Sequence, residues 1–116
     1  MTIRVIDIET TGVDPLTDKV IEIASVDLDR DGGYTNALTT LCDPGIPIPA
    51  QASAVHHLVD DDVRGHAAYA TAIGAFKGAT AYVAHNAKFE IGFVGADIGC
   101  MIWVCTWKCA LRLWPD

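Results

Sequence analysis

The sequence predicts an α/β domain built on a mixed sheet of about five strands, three antiparallel and then two parallel, with flanking helices. Three observations carry that prediction. The first 42 residues hold three apolar or alternating segments separated by turn signals, a proline-rich break follows, and the remainder alternates strand, helix, strand and helix.

Residues 3–9, IRVIDIE, read as a central strand because Val5, Ile6 and Ile8 leave almost no polar surface ahead of the two acids. Residues 20–29, VIEIASVDLD, start apolar and become alternating, as a second strand does when one face is solvated. DRDGG at 29–33 is a turn signal, so YTNALTTLC at 34–42 is expected to fold back as the next hairpin arm. DPGIPIPAQ is too rich in proline for regular structure and carries the chain away from the sheet. Short helical pieces are expected from Ala50 to about Phe76, broken at Gly65. TAYVAHN at 80–86 is the fourth strand, and AKFEIGFVGAD a helix with Asn86 near its cap. MIWVCT is a short fifth strand, and WKCALRL a final helix ended by WPD.

At 116 residues the chain suits one domain, residues 1–116. It is 51% hydrophobic and only 20% charged, with a mean hydropathy of +0.28. That excludes disorder and implies either a largely buried sheet or apolar surface that expects a partner. No apolar run approaches the roughly 20 residues needed to cross a bilayer, and MTIRVID lacks the basic-then-apolar pattern of a secretion signal. The expectation is a cytoplasmic protein without a membrane partner, whose Cys42, Cys100, Cys105 and Cys109 are free thiols. With no C-x-x-C pair among them, a structural zinc site is not expected. The net charge of −7 argues against a protein that coats nucleic acid through its phosphates. It is compatible with acids that hold divalent cations, since the metal then meets the phosphate.

On a strand, residues two apart share a face, so Asp7 and Glu9 project side by side, about 6 to 7 Å apart along the backbone. That suits a pair of cations held about 3.5 to 4 Å apart, with magnesium or manganese implied by oxygen ligands. On spacing alone, a solvated strand end carrying two charges fits as well. AYVAHNAKFE forms a second cluster, in which a strand end delivers His85 and Asn86 and a helix then places Glu90 one turn in. Sites form where helices start beside the ends of parallel strands, which makes Glu90 a candidate third carboxylate. The commoner role of a lone Glu there is to complement the helix dipole.

Together DIETTG, ASAVHHLVDDDV, AYVAHNAKFE and WVCTWKCALRLWP resemble the proofreading-exonuclease superfamily (DnaQ-like, four-carboxylate type), in the right order and over nearly the whole chain. The resemblance implies a ribonuclease H-like fold and metal-dependent release of nucleotides from DNA 3′ ends, single strands included, with two magnesium or manganese ions in the intact family site. It implies Asp7, Glu9 and Glu90 as catalytic metal ligands, and places Asn86 in the second motif. It further implies Thr10, Thr11 and Gly12 as a turn against the substrate backbone, and Val55 with His56 as contacts of the terminal nucleotide. The family's second motif usually ends in Asp, where this chain has Glu90, one methylene longer.

The family's third motif, a histidine base followed five residues later by a fourth carboxylate, is not found before Asp116, so the expectation is an incomplete domain with little or no turnover. His56 with Asp61 and His57 with Asp62 have that spacing but fall in the nucleotide-contact segment, where DDD reads as the start of a solvated helix. A domain lacking its last helix is expected to expose apolar surface, and so either to associate with itself or another chain or to be only marginally stable. Two alternatives stay open: a non-catalytic module that binds or docks, and an RNA-directed enzyme of the same superfamily. Trp103, Trp107 and Trp114 are expected to fill core positions, with Trp114 exposed if the domain is incomplete. Lys88, Lys108, Arg112 and His66 read as solvated, and Cys105 as packed in the fifth strand.

Overall fold

A computed structural model describes residues 1–115. The strands β1 (Ile3–Thr10), β2 (Val20–Leu28), β3 (Tyr34–Leu41), β4 (Ala81–Ala84) and β5 (Trp103–Cys105) form one sheet in the order β3-β2-β1-β4-β5. β1 pairs antiparallel with β2, and β2 with β3; β4 lies parallel to β1, and β5 to β4. The topology is therefore the predicted one, with the acid-bearing strand at the centre.

The pleat of β1 sorts its residues cleanly. Arg4, Ile6, Ile8 and Thr10 are buried, whereas Asp7 is exposed and Glu9 half-buried on the opposite face. Ile6 and Ile8 join Ile23, Tyr82, Phe76, Ile73 and Val94 in the core, so one face of the sheet carries the helices. The other face presents Val5, Ala24, Val26 and Val83, all partly exposed. Asp29 closes the first hairpin by accepting from the Asp31 and Gly33 amides at 3.0 and 2.9 Å.

Beyond the proline-rich segment, the helical pieces are α1 (Ala50–His56), α2 (Asp60–Val63) and α3 (Tyr69–Ala72), the last continuing as a 3₁₀ turn over Ile73–Phe76. Gly65 ends α2 with a φ of 81°, which a Cβ would strain. After β4 the chain forms α4 (Ala87–Glu90), one π-helical turn at Ile91–Gly95, and α5 (Ala96–Ile98). The predicted helix is thus present but widened by a π turn just after Glu90, a distortion common at functional sites. Asn86 stands at the cap position of α4, yet its side chain makes no capping bond. The last helix is α6 (Thr106–Leu113).

One expectation about packing fails. Trp103 stacks on Tyr82 with ring centroids 5.1 Å apart, but Trp107 is 48% exposed; Trp114 is 72% exposed, the alternative the sequence allowed for it. α6 follows a three-residue edge strand and has no buried residue, so nothing described encloses its aromatic side chains. The four cysteines are free, as expected. Among the described residues no helix is long and apolar enough to cross a membrane.

The network with most at stake was not foreseen from the sequence. Arg4, 9% exposed, donates from Nε and Nη2 to the two carboxylate oxygens of Asp27 at 2.7 and 3.0 Å. Its Nη1 donates to the Phe76 and Lys77 carbonyls at 3.1 and 2.9 Å. One guanidinium thereby ties the start of β1 to β2 and to the end of the 3₁₀ turn.

Candidate active site

Asp7 and Glu9 leave β1 on one face because strand side chains alternate, and the apolar residues between them, turned the other way, fix that face as the solvent-facing one. Glu22 stands across from Glu9 on β2. Burial first, and then the charge of Asp7, hold the Glu9 carboxyl above its ordinary 4.5, with Glu22 adding to the effect and His56 opposing it. Glu22 is an acid beside the site that the linear motif did not reveal, because the antiparallel register alone brings it there.

Glu90 comes from the first turn of α4 and is 4% exposed. Its carboxyl is pushed up to about 7, chiefly by burial, with the charges of Asp7 and Glu9 raising it further against a backbone hydrogen bond that lowers it. Its Oε2 is buried and has no hydrogen-bond partner. A buried acceptor without a donor, facing two like charges, is a costly arrangement that a cation relieves. The acids therefore fit the magnesium or manganese that oxygen donors select. Among the described residues no three His, Cys, Asp or Glu side chains stand close enough to enclose an ion unaided. Magnesium sites of this kind typically use one or two carboxylates and fill the rest of the shell with water and phosphate oxygens.

A pH prediction follows for the metal-free chain. Between the ordinary 4.5 and the folded value of about 7, folded Glu90 holds a proton that the unfolded chain has lost. Its contribution to stability should therefore be constant below 4.5 and fall as pH rises to 7, by up to about 3 kcal/mol. Urea unfolding of the unaltered chain and of Glu90→Gln at both ends of that range checks this. The difference between the two proteins should favour Glu90→Gln increasingly with pH, and a constant difference contradicts it.

The turn after β1 is tightly held. Thr10 and Thr11 are buried, and the Thr10 hydroxyl donates to the Gly12 carbonyl. Glu9, Thr10, Thr11 and Gly12 line one cavity together with Val55 and His56 of α1, so the segment expected to contact the nucleotide meets the turn. Val55 is 78% exposed there, an apolar side chain offered to solvent. Asn86 lines instead an adjoining depression that shares Val13 and Phe89 with this cavity.

The histidines are accounted for individually. The Leu58 amide donates to His56 Nδ1 at 3.1 Å, which leaves the ring proton on Nε2, directed at the Thr10 carbonyl 3.2 Å away. With both nitrogens engaged, His56 has no lone pair for a base. His57 is the left-handed cap of α1, and His85 Nδ1 lies 3.0 Å from the Thr106 hydroxyl. Asp61 pairs with Arg64 and Asp62 accepts from the Val59 amide at 2.8 Å, so both acids serve the start of α2 as the sequence suggested. His66 is exposed, as are Lys88, Lys108 and Arg112 around α4 and α6.

Known proteins match this arrangement. The profile of the exonuclease family matches residues 5–101. The chain is 39% identical over 113 residues to Exodeoxyribonuclease 10 of Escherichia coli (strain K12), covering 97% of this chain and 49% of that protein. It is 35% identical over 96 residues to DNA polymerase III subunit epsilon of Treponema pallidum (strain Nichols), covering 79% of this chain and 44% of that one. The chain thus spans about half the length of these curated relatives. Among solved structures it superposes on exonuclease X in complex with 5′ overhanging duplex DNA, with a TM-score of 0.81 and 36% identity over 98% of this chain and 65% of the other. E. coli exonuclease I in complex with a dT13 oligonucleotide gives a TM-score of 0.76 at 15% identity, over 99% of this chain and 30% of that one, a likeness of fold. The mixed sheet with its flanking helices is the ribonuclease H-like fold expected from the sequence.

Proposed function

The chain belongs to the exonuclease family, and from that premise we propose that it carries the metal-binding part of a 3′–5′ exodeoxyribonuclease site that acts on DNA ends in the cytoplasm. The observation that carries the reading is the buried, unpartnered Glu90 oxygen, whose carboxyl feels the charges of Asp7 and Glu9; Glu9 in turn lines a cavity with the Thr10–Gly12 turn. Asp7, Glu9 and Glu90 would hold the magnesium or manganese, two ions in the intact site. When bound, such ions supply a water ionised at neutral pH and offset charge on the leaving oxygen. The chain's own residues do the rest: the turn offers a rigid wall to the sugar and phosphate, and Val55 packs against the terminal base or sugar. His56, with both nitrogens occupied, fixes the turn against α1.

The 36% identical exonuclease X, solved in complex with 5′ overhanging duplex DNA, supports a DNA end as substrate. His56, the histidine that lines the cavity beside Glu9, has no free lone pair for general-base work. Residues 1–116 alone are therefore expected to turn over slowly, since such help is worth roughly 10²- to 10⁴-fold. The partly exposed valines of the open sheet face favour self-association in the same polypeptide, which sedimentation reads directly.

Manganese titration by calorimetry tests the site. Binding by the unaltered chain that is lost in Glu90→Ala supports it, and unchanged binding in that variant removes Glu90 from the ligand set. Heat from neither protein favours the non-catalytic module instead. RNA in place of DNA is the remaining alternative within the family, and parallel titration with ribo- and deoxyribo-oligonucleotides separates them. Glu90→Asp restores the acid usual in the family's second motif and should keep or raise activity. A loss of manganese binding in that variant contradicts the assignment of Glu90.

A further inference from the structure

The geometry points to Asp18 as a positioning residue that locks the Thr10–Thr11–Gly12 turn into the shape that receives nucleotide, a role that rests on the proposed exonuclease site. Asp18 lies in the loop between β1 and β2, seven residues beyond Thr11. Its Oδ1 accepts from the Thr11 hydroxyl at 3.1 Å, and its Oδ2 accepts from the Asp14 amide at 3.0 Å. The Thr11 oxygen in turn accepts from the Lys19 amide at 2.9 Å, while the Thr11 amide donates to the Lys19 carbonyl at 2.8 Å. Thr11 is 2% exposed and Asp18 half-buried, so the buried Thr11 hydroxyl is satisfied from within the loop. One carboxylate thus closes the loop from Gly12 to Asp18 and sets the backbone that follows Glu9.

Gly12 makes the lock sterically exclusive. A Cβ built on Gly12 would lie 2.4 to 2.7 Å from the three carboxylate atoms of Asp18. Gly12 does not adopt the left-handed conformation, so its backbone would accept alanine, and the requirement is for space. The carboxylate occupies the volume of a missing side chain, and a methyl group there must expel it from Thr11. Gly12→Ala and Asp18→Ala therefore break the same contact from opposite sides.

That shared cause gives the test its form. Three variants are compared with the unaltered chain: Asp18→Ala, Gly12→Ala and the double substitution. Amide hydrogen exchange at Thr11 and Lys19 reports the lock itself, calorimetry reports manganese affinity, and titration with thymidine 5′-monophosphate in saturating manganese reports the nucleotide wall. Each single variant should lose protection at Thr11 and Lys19 and weaken thymidine monophosphate binding by roughly tenfold, the scale of a lost hydrogen bond to a charged group. Manganese affinity should be kept, and the double variant should be no weaker than either single one, because the coupled loss is counted once. Additive losses in the double variant, or lost protection with unchanged nucleotide affinity, overturn the positioning role. Failure of the unaltered chain to bind thymidine monophosphate overturns the exonuclease reading and the positioning role with it. Exchange at Thr11 and Lys19 then still shows whether Asp18 holds the turn.

Discussion

Asp7→Asn should abolish metal-dependent cleavage while leaving the fold intact and slightly more stable. The substitution keeps the size of the side chain, and Asp7 is exposed on the open face of β1, so no packing is lost. What is lost is one full charge from the set proposed to hold the ions. Losing a mere outer-shell partner typically costs roughly 10- to 100-fold, so losing a ligand should cost a hundredfold or more. The gain in stability has a separate cause. Asp7 raises the carboxyls of both Glu9 and Glu90 by repulsion, and removing it relieves both. The Glu90 carboxyl should accordingly move down from about 7 toward its ordinary 4.5, which carboxyl-carbon NMR titration reads without any metal. An unchanged Glu90 titration in Asp7→Asn contradicts the proximity on which the site depends.

Arg4→Met should destabilise the chain by about 3 to 5 kcal/mol, the range for removing one partner of a buried pair. Methionine replaces the apolar stem but abandons the Asp27 carboxylate, whose side chain is 15% exposed, and two carbonyl acceptors at Phe76 and Lys77. Against a total stability of about 5 to 15 kcal/mol, that is a large share. Chemical denaturation at neutral pH measures it. The Asp27 carboxyl is held below its ordinary 3.8, first by its hydrogen bond from Arg4 and further by one from Asn36. A depressed acid contributes stability above its unfolded value and loses it as pH falls toward the folded one. The gap between Arg4→Met and the unaltered chain should therefore narrow below 3.8. A substitution that costs under about 1 kcal/mol would show Arg4 to be surface-like in its energetics.

Where local pattern decides, the sequence was sufficient. The alternation in IRVIDIE placed Asp7 and Glu9 on one face with Ile6 and Ile8 on the other, and DRDGG closed the hairpin where turn chemistry requires. The strand-to-helix junction after AYVAHN put Glu90 one turn into α4. What stayed hidden depends on partners distant in the chain. Arg4 sits in an apolar strand with nothing nearby to announce a partner 23 residues away. Glu22 reaches the site through strand register, and Asp18 reaches Thr11 through loop closure. The exposure of Trp107 follows from what fails to cover α6, which its own amphipathic pattern does not encode. Likewise, no local signal distinguishes the π turn after Glu90 from the regular helix the sequence suggested.

The most direct measurement is digestion of a 5′-labelled single-stranded DNA oligonucleotide by a stoichiometric amount of the protein in manganese, beside Asp7→Asn and a chelated control. The account predicts a slow ladder that shortens from the 3′ end and vanishes in both controls. Shortening that persists in Asp7→Asn or in chelator, release of label from the 5′ end, or an oligonucleotide left intact would contradict it.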